Sequence, residues 1–202
     1  EWLSTLLDND KNIYQSPKSY NSQLGVALSL WNLTNEYEIA LIEAGISEMH
    51  EMHKLEAMIR PNIGVFTNIG MAHAEGFATK GDKIKEKMKL FEQADVLFFP
   101  SKYDLEDYVP AGCAVFSWGQ KANDRLQVLA VEESLRQETS VHLRYEGQDC
   151  IISLPFEDRA SVENGITCVA TLLYLGYPLL AIAPKVALLK PVEMRLQLKK
   201  GK

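Results

Sequence analysis

Two apolar runs each deliver one polar group where the run stops. The apolar run in "YEIALIEAG" stops at Glu43, and "IRPNIGVF" leads into "TNIGMAHAEGF", which holds Asn68 and His73. A carboxylate and an imidazole at adjacent strand ends could ligate a divalent cation, and oxygen-rich sites with an occasional imidazole suit magnesium or manganese. Each residue also has a plainer reading. Glu43 would serve equally as a strand-end carboxylate that caps a neighbouring helix, and His73 as a loop histidine held by hydrogen bonds. The other histidines offer less. In "HEMH" His50 and His53 are three residues apart, whereas a zincin helix needs them four apart. His142 in "VHLRY" lies opposite Val141, Leu143 and Tyr145 and faces water on that pattern. The lysine-rich "KGDKIKEKMK" reads as a solvated helix face. Ile84, Met88 and Phe91 form its inner stripe, Lys87 borders that stripe, and Lys83 and Lys85 point more toward water.

The elements that must position these groups are legible as an alternation. "GVALSLWNLT", "SEMHEMHKLEAMI" and "KGDKIKEKMKLFEQA" carry helical spacing, with Ser47 as the N-cap of the second and Pro61 just beyond it. Between them, "EIALIEAG", "NIGVFTNIG", "DVLFFP" and "CAVFSWG" are continuous apolar runs, the pattern of parallel strands buried on both faces. Residues 1 to 8 read as a helix, and "NIYQSPKSYNSQLG" as a turn-rich loop. This order predicts an α/β fold, a mostly parallel sheet with helices on both faces. In such sheets ligands bind beyond the carboxyl ends of the strands, where Glu43 and the Asn68–His73 loop fall. Farther on, "LQVLAVEESL", "TSVHLRYEG" and "QDCIISLP" alternate with period two around a turn at Glu146-Gly147, which predicts a small antiparallel element. Two helices, "SVENGITCVATLLYLG" and "PLLAIAPKVALL", follow.

The bulk composition narrows the function. The 202 residues are 47 % hydrophobic, enough for a sizeable core. A formal net charge of -6 argues against a nucleic-acid partner, which needs a basic face. No apolar run reaches the roughly 18 residues of a membrane span, and the first ten residues are no signal peptide. Cys113, Cys150 and Cys168 are few and far apart, which suits reduced thiols in a cytosolic protein rather than a disulfide framework or a zinc site. No GxxxxGK[ST] phosphate loop occurs in the chain.

Five phrases in order, "SYNSQLGVALSL", "IEAGIS", "TNIGMAHAEGFAT", "KEKMKLF" and "SVENGITCVA", resemble the central, ATP-binding domain of the Mur ligase family. There the corresponding phrases are an asparagine-rich loop running into "GVPLTL", a strand ending like "ELGMN", "TNIGxAHLEGFGS", "AKxxIF" and "HNxxNA". The "AEGF" phrase leans toward the members that add D-alanyl-D-alanine to UDP-N-acetylmuramoyl-tripeptide. The resemblance implies a P-loop-NTPase-like fold and ATP and Mg2+ as cofactors. It implies that Glu43 and His73 bind magnesium and that Lys87 is carbamylated and serves a second magnesium. It also implies that Asn164 and Arg195 serve the nucleotide, Arg195 near the hinge to a further domain, and that Asn21 and Ser22 face the muramoyl substrate. The chain departs from the pattern at Ser19 and Ser22, where asparagine is usual, and at Ala160 and Ser161, where "HN" is usual.

On this reading residues 1–202 are a central-domain fragment of a longer protein, with Glu1 falling just after the phosphate loop. The N-terminal UDP-binding and C-terminal domains would lie elsewhere in the parent, and the fragment alone would be inactive. Two other readings stand beside it, a folylpolyglutamate synthase-like ligase and a non-catalytic binding or scaffold domain that keeps only the fold.

Overall fold

A computed structural model describes residues 1–8, 10–17, 19–69, 77, 79–134 and 138–191. Among these residues the α-helices are α1 (Trp2–Leu7), α2 (Gln23–Trp31), α3 (Met52–Ile59), α4 (Lys80–Met88), α5 (Arg159–Tyr174) and α6 (Leu179–Val186). The strands among them are β1 (Ile13–Gln15), β2 (Ile39–Leu41), β3 (Ile63–Val65), β4 (Val96–Pro100), β5 (Ala114–Gly119), β6 (Leu126–Glu133), β7 (Thr139–Tyr145) and β8 (Gln148–Leu154).

Strands β3 to β8 form one sheet in sequence order. The pairs from β3 to β6 are parallel, and β6, β7 and β8 continue it as an antiparallel meander. Strand β4 is buried throughout and divides its side chains between two cores. Val96 and Phe98 join Phe116, Leu143, Ile152, Val169 and Leu172 on the face covered by α1, α5 and α6. Leu97 and Phe99 join Ile84, Met88, Phe91 and Leu105 on the face covered by α4. Helices therefore cover both faces of a mostly parallel sheet, as the alternation predicts. The tight turn falls where expected, with Glu146 at φ 49° and Gly147 at φ 79°, the two positive values of a type I′ hairpin turn.

Three elements differ from the sequence expectation. The turn-rich loop contains β1, which pairs parallel with β2 from Ile13↔Ile39 to Gln15↔Leu41. Among the described residues strand β2 pairs with β1 and not with β3 and is only partly buried, so there the run ending at Glu43 is not a central strand buried on both faces, and Glu43 is not at a strand end adjacent to that of β3. Only the first half of "IALIEAG" pairs. Its second half turns away, and Ile42 and Ala44 pack on a separate small core of Val26, Ile46, Met52 and Leu55. An apolar run buried in a strand and one buried under two helices look alike to hydropathy. Finally, Ser47 does not cap α3, which begins five residues later without a side-chain cap on its preceding residue, Glu51.

Three other helix starts, those of α2, α4 and α5, follow local chemistry. Ser22 Oγ accepts the Gly25 N–H at 3.3 Å, Thr79 Oγ1 the Asp82 N–H at 3.1 Å, and Asp158 Oδ1 the Ser161 N–H at 2.9 Å. These satisfy amides that a first helical turn leaves orphaned. Helix α2 buries Val26 but turns Leu24, Leu28 and Trp31 outward, Trp31 being 88 % exposed. Among the described residues no helix is long and apolar enough to cross a membrane.

Candidate functional site

Past β2 the chain bends around Asn21. Asn21 Nδ2 donates to Glu43 Oε1 at 3.0 Å, and its backbone carbonyl accepts the Gly45 N–H at 2.8 Å. A Cβ on Gly45 would lie 3.2 Å from the Asn21 amide, so glycine permits this close approach. Ser16 Oγ accepts the Glu43 N–H at 3.2 Å. Glu43 is thus gripped from two sides while its carboxylate stays exposed. Among the described residues its side-chain partner is an asparagine amide and not a helix N–H. Asn21 and Glu43 are brought together, and Ser22, next along, caps α2.

The strand β3 leads to Phe66 and Asn68, and α4 lies alongside. Lys87 Nζ donates to the Asn68 carbonyl at 3.3 Å and sits 5.5 Å from the centre of the Phe66 ring. Burial lowers the Lys87 amine below the ordinary lysine range, and the charge of Lys83 adds to the shift. Lys85 is exposed, as expected, but Lys83 is not. Only 7 % of Lys83 is exposed, and its Nζ lies 5.9 Å from the Phe77 ring centre. Four residues from Lys87, it shares that face of α4, and its stem is buried among groups a helical wheel does not show. His73 and Arg195 lie outside the described residues.

Asn164 sits half-buried in the second turn of α5. Its neighbour Glu163 pairs with Lys102 and with Arg159, the latter at 2.8 Å. Lys102 follows the end of β4, so these pairs hold the start of α5 at the carboxyl ends of the parallel strands. At the same edge Asp124 accepts the Ser101 hydroxyl at 2.7 Å and the Lys121 N–H at 2.8 Å, closing the loops after β4 and β5. His50 and His53 are exposed on and before α3, and His142 lies on the outer face of β7 with Nε2 3.8 Å from Glu132. Two open depressions of about 290 and 300 Å³ involve none of the candidates: one is lined by Leu7, Lys11, Glu38 and Tyr177, the other by His142 and Cys150.

Sequence reasoning missed two carboxylates. Glu51 Oε2 accepts the N–H groups of Ser47 and Glu48 at 2.7 and 2.9 Å. The Ser47 and Glu48 amides hold its carboxyl below the usual range despite some burial. Glu86 in α4 is fully buried, with Oε2 2.7 Å from Lys89 Nζ. Burial pushes its carboxyl up, but Lys89 and the amides of Met52 and His50 more than offset this and hold it low. The only sequence signal for Glu86 was its place one residue from the Met88 and Lys87 face.

For magnesium the fit rests on donor chemistry. Glu43 offers an exposed carboxylate oxygen, and no group of three or more His, Cys, Asp or Glu side chains among the described residues forms a closed cage. Magnesium is held by one or two carboxylates plus phosphate oxygens and water rather than by an all-protein cage.

Comparisons with known proteins agree with this architecture. The UDP-N-acetylmuramoyl-tripeptide--D-alanyl-D-alanine ligase of Bacillus subtilis is 22 % identical over 202 residues, covering 98 % of this chain and 43 % of that protein. The same-named ligase of Escherichia coli is 24 % identical over 97 % of this chain and 45 % of its own length. The crystal structure of MurF from Acinetobacter baumannii superposes with a TM-score of 0.84 at 21 % identity, over 97 % of this chain and 44 % of that one. MurF ligase from Thermotoga maritima, solved in complex with ADP, gives a TM-score of 0.82 at 21 % identity over 95 % of this chain and 45 % of that one. The chain thus spans less than half the length of the relatives it matches. Because residues 1–172 match the family described as the Mur ligase middle domain, the chain belongs to that family.

Proposed function

We propose that these 202 residues are the ATP-binding middle part of a longer ligase that joins D-alanyl-D-alanine to UDP-N-acetylmuramoyl-tripeptide, a cytoplasmic step in building peptidoglycan precursors. The observation that carries the reading is the 3.0 Å hydrogen bond between Asn21 and Glu43. Two residues from separate segments, one assigned to substrate and one to metal, meet in one place. The names of the Bacillus subtilis and Escherichia coli relatives support the choice of substrates.

In this reading ATP phosphorylates the terminal carboxylate of the tripeptide, and the amine of the dipeptide displaces phosphate from the acyl phosphate to form the amide. Magnesium ions supply charge neutralisation for the phosphoryl transfer. Glu43 and His73 would hold one ion, and Lys87, as a carbamate, would serve the second. A lysine must be neutral to take up carbon dioxide, which the partial burial of Lys87 favours. Asn164 and Arg195 bind the nucleotide. Asn21 keeps its carbonyl oxygen and one amide hydrogen for substrate, and Ser22 keeps its hydroxyl hydrogen, because each uses only part of its capacity in the described contacts.

The test is phosphate release by the full-length parent protein given ATP, magnesium, UDP-N-acetylmuramoyl-tripeptide and D-alanyl-D-alanine. Release should require all four. Equal release with a folate and glutamate in place of the muramoyl peptide and dipeptide, or none under any condition, would overturn the reading.

A further inference from the structure

The helix that carries Lys87 and the loop that carries Glu43 are tied together by a run of side-chain hydrogen bonds. One residue before Lys87, Glu86 points into the protein and is 0 % exposed. Its Oε1 accepts the Met52 N–H at 3.1 Å, and its Oε2 takes Lys89 Nζ at 2.7 Å. Met52 opens α3, whose preceding residue provides no side-chain cap, so a carboxylate from a different helix serves that amide. Directly before Met52, Glu51 curls segment 47–51 by accepting the Ser47 and Glu48 amides. Its other oxygen meets Gln23 Nε2 at 3.4 Å, on the first residue of α2. Two residues back from Gln23 is Asn21, which grips Glu43 at 3.0 Å. Every step from Lys87 to Glu43 along this path is a hydrogen bond or a short stretch of adjacent residues.

We infer that Glu86 is a positioning residue that fixes the Lys87 helix to the Glu43 loop by anchoring the start of α3. The inference rests on the roles proposed above for Glu43 and Lys87. Being fully buried, Glu86 acts only through its neighbours. A carboxylate suits the place because it accepts from a backbone amide and an ammonium at once, and charge-assisted bonds are the stronger ones. Alanine, which stands at this position in the "AKxxIF" phrase, would leave the Met52 amide without its acceptor.

The test reads amide hydrogen exchange in the full-length parent protein, comparing wild type with Glu86→Ala and Glu86→Gln. In Glu86→Ala the Met52 amide should exchange about tenfold faster, the loss of roughly one hydrogen bond. The Gly45 amide, bonded to Asn21 at 2.8 Å, should also quicken, because the loop has lost its anchor. Amides of β7 and β8 should not change. Glu86→Gln keeps an acceptor for Met52 and should restore most of the protection at both sites. It also keeps the test decisive if Glu86→Ala proves too unstable to fold. A faster Met52 amide with an unchanged Gly45 amide in Glu86→Ala would reduce Glu86 to a local helix cap and overturn the inference. So would faster exchange at Gly45 in Glu86→Gln while Met52 stays protected. In the full-length protein Glu86→Ala should lower kcat with little change in KM for ATP, and Glu86→Gln should recover it. Absence of any ligase activity in the wild type would sink the functional reading, while the exchange comparison would still decide the brace.

Discussion

Glu43 is exposed and held by one amide, so its charge can be removed without disturbing the core. In the full-length protein Glu43→Gln should fold normally and lose about 100-fold or more in turnover, the scale of a few kcal/mol of lost metal-centred stabilisation. Near wild-type turnover at saturating magnesium would remove Glu43 from the metal site. For Lys87 the contrast with its neighbour is sharper. Lys87→Ala should be almost inactive and partly rescued by a short carboxylic acid that replaces the carbamate. Lys85→Ala, at an exposed position, should behave as wild type. The reverse pattern would show the helix register to be wrong. Helical spacing was enough to place Lys87 beside the buried stripe and Lys85 in water. It failed for Lys83, because a wheel ranks faces by their own residues and cannot see Phe77 arriving from another segment.

Among the elements, β3 brings the chain to the site under tight packing. A Cβ on Gly64 would stand 2.5 Å from Phe91 and 2.8 Å from Leu97. Gly64→Ala should therefore destabilise the chain by about 1–3 kcal/mol, read as a lowered Tm, and an unchanged Tm would mean that α4 and its following turn yield easily. The ties at the start of α3 carry a pH signature. Glu51 and Glu86 both have folded values below the ordinary 4.5, from the Ser47 and Glu48 amides for one and, against burial, from Lys89 and the Met52 and His50 amides for the other. A depressed carboxyl contributes stability that is present above its unfolded value and lost as pH falls through its folded value. Unfolding by urea at pH 6 and at pH 3 should show wild type losing more stability on acidification than the double variant Glu51→Gln, Glu86→Gln. Equal losses would mean that neither group is held low. The strands of the main sheet were readable because each is one apolar run with one fate. The run before Glu43 was not, since its two halves have different fates, one pairing with β1 and the other packing under α2 and α3.

At the scale of the whole molecule, the chain covers less than half of its relatives' length and contains no GxxxxGK[ST] phosphate loop. The 202 residues alone should bind ATP no tighter than about millimolar, roughly 4 kcal/mol, in a calorimetric titration with magnesium. Micromolar binding would show that Asn164 and the strand-end groups suffice without that loop. The sequence by itself determined the α/β class, the two-faced burial of β4, the meander with its Glu146-Gly147 turn and the phrases that mark the family. All of these are written in local periodicity, turn chemistry and residue order, which survive without knowledge of neighbours. Only the tertiary structure decided that Asn21 reaches Glu43, that β2 pairs with β1 and not with β3, that Lys83 is buried, and that Glu86 serves the first amide of α3. Three of those are contacts between residues far apart in the chain, and the fourth depends on a ring that lies outside the helix of Lys83. A backbone amide or a carbonyl leaves no mark in a sequence to say which distant side chain it will meet.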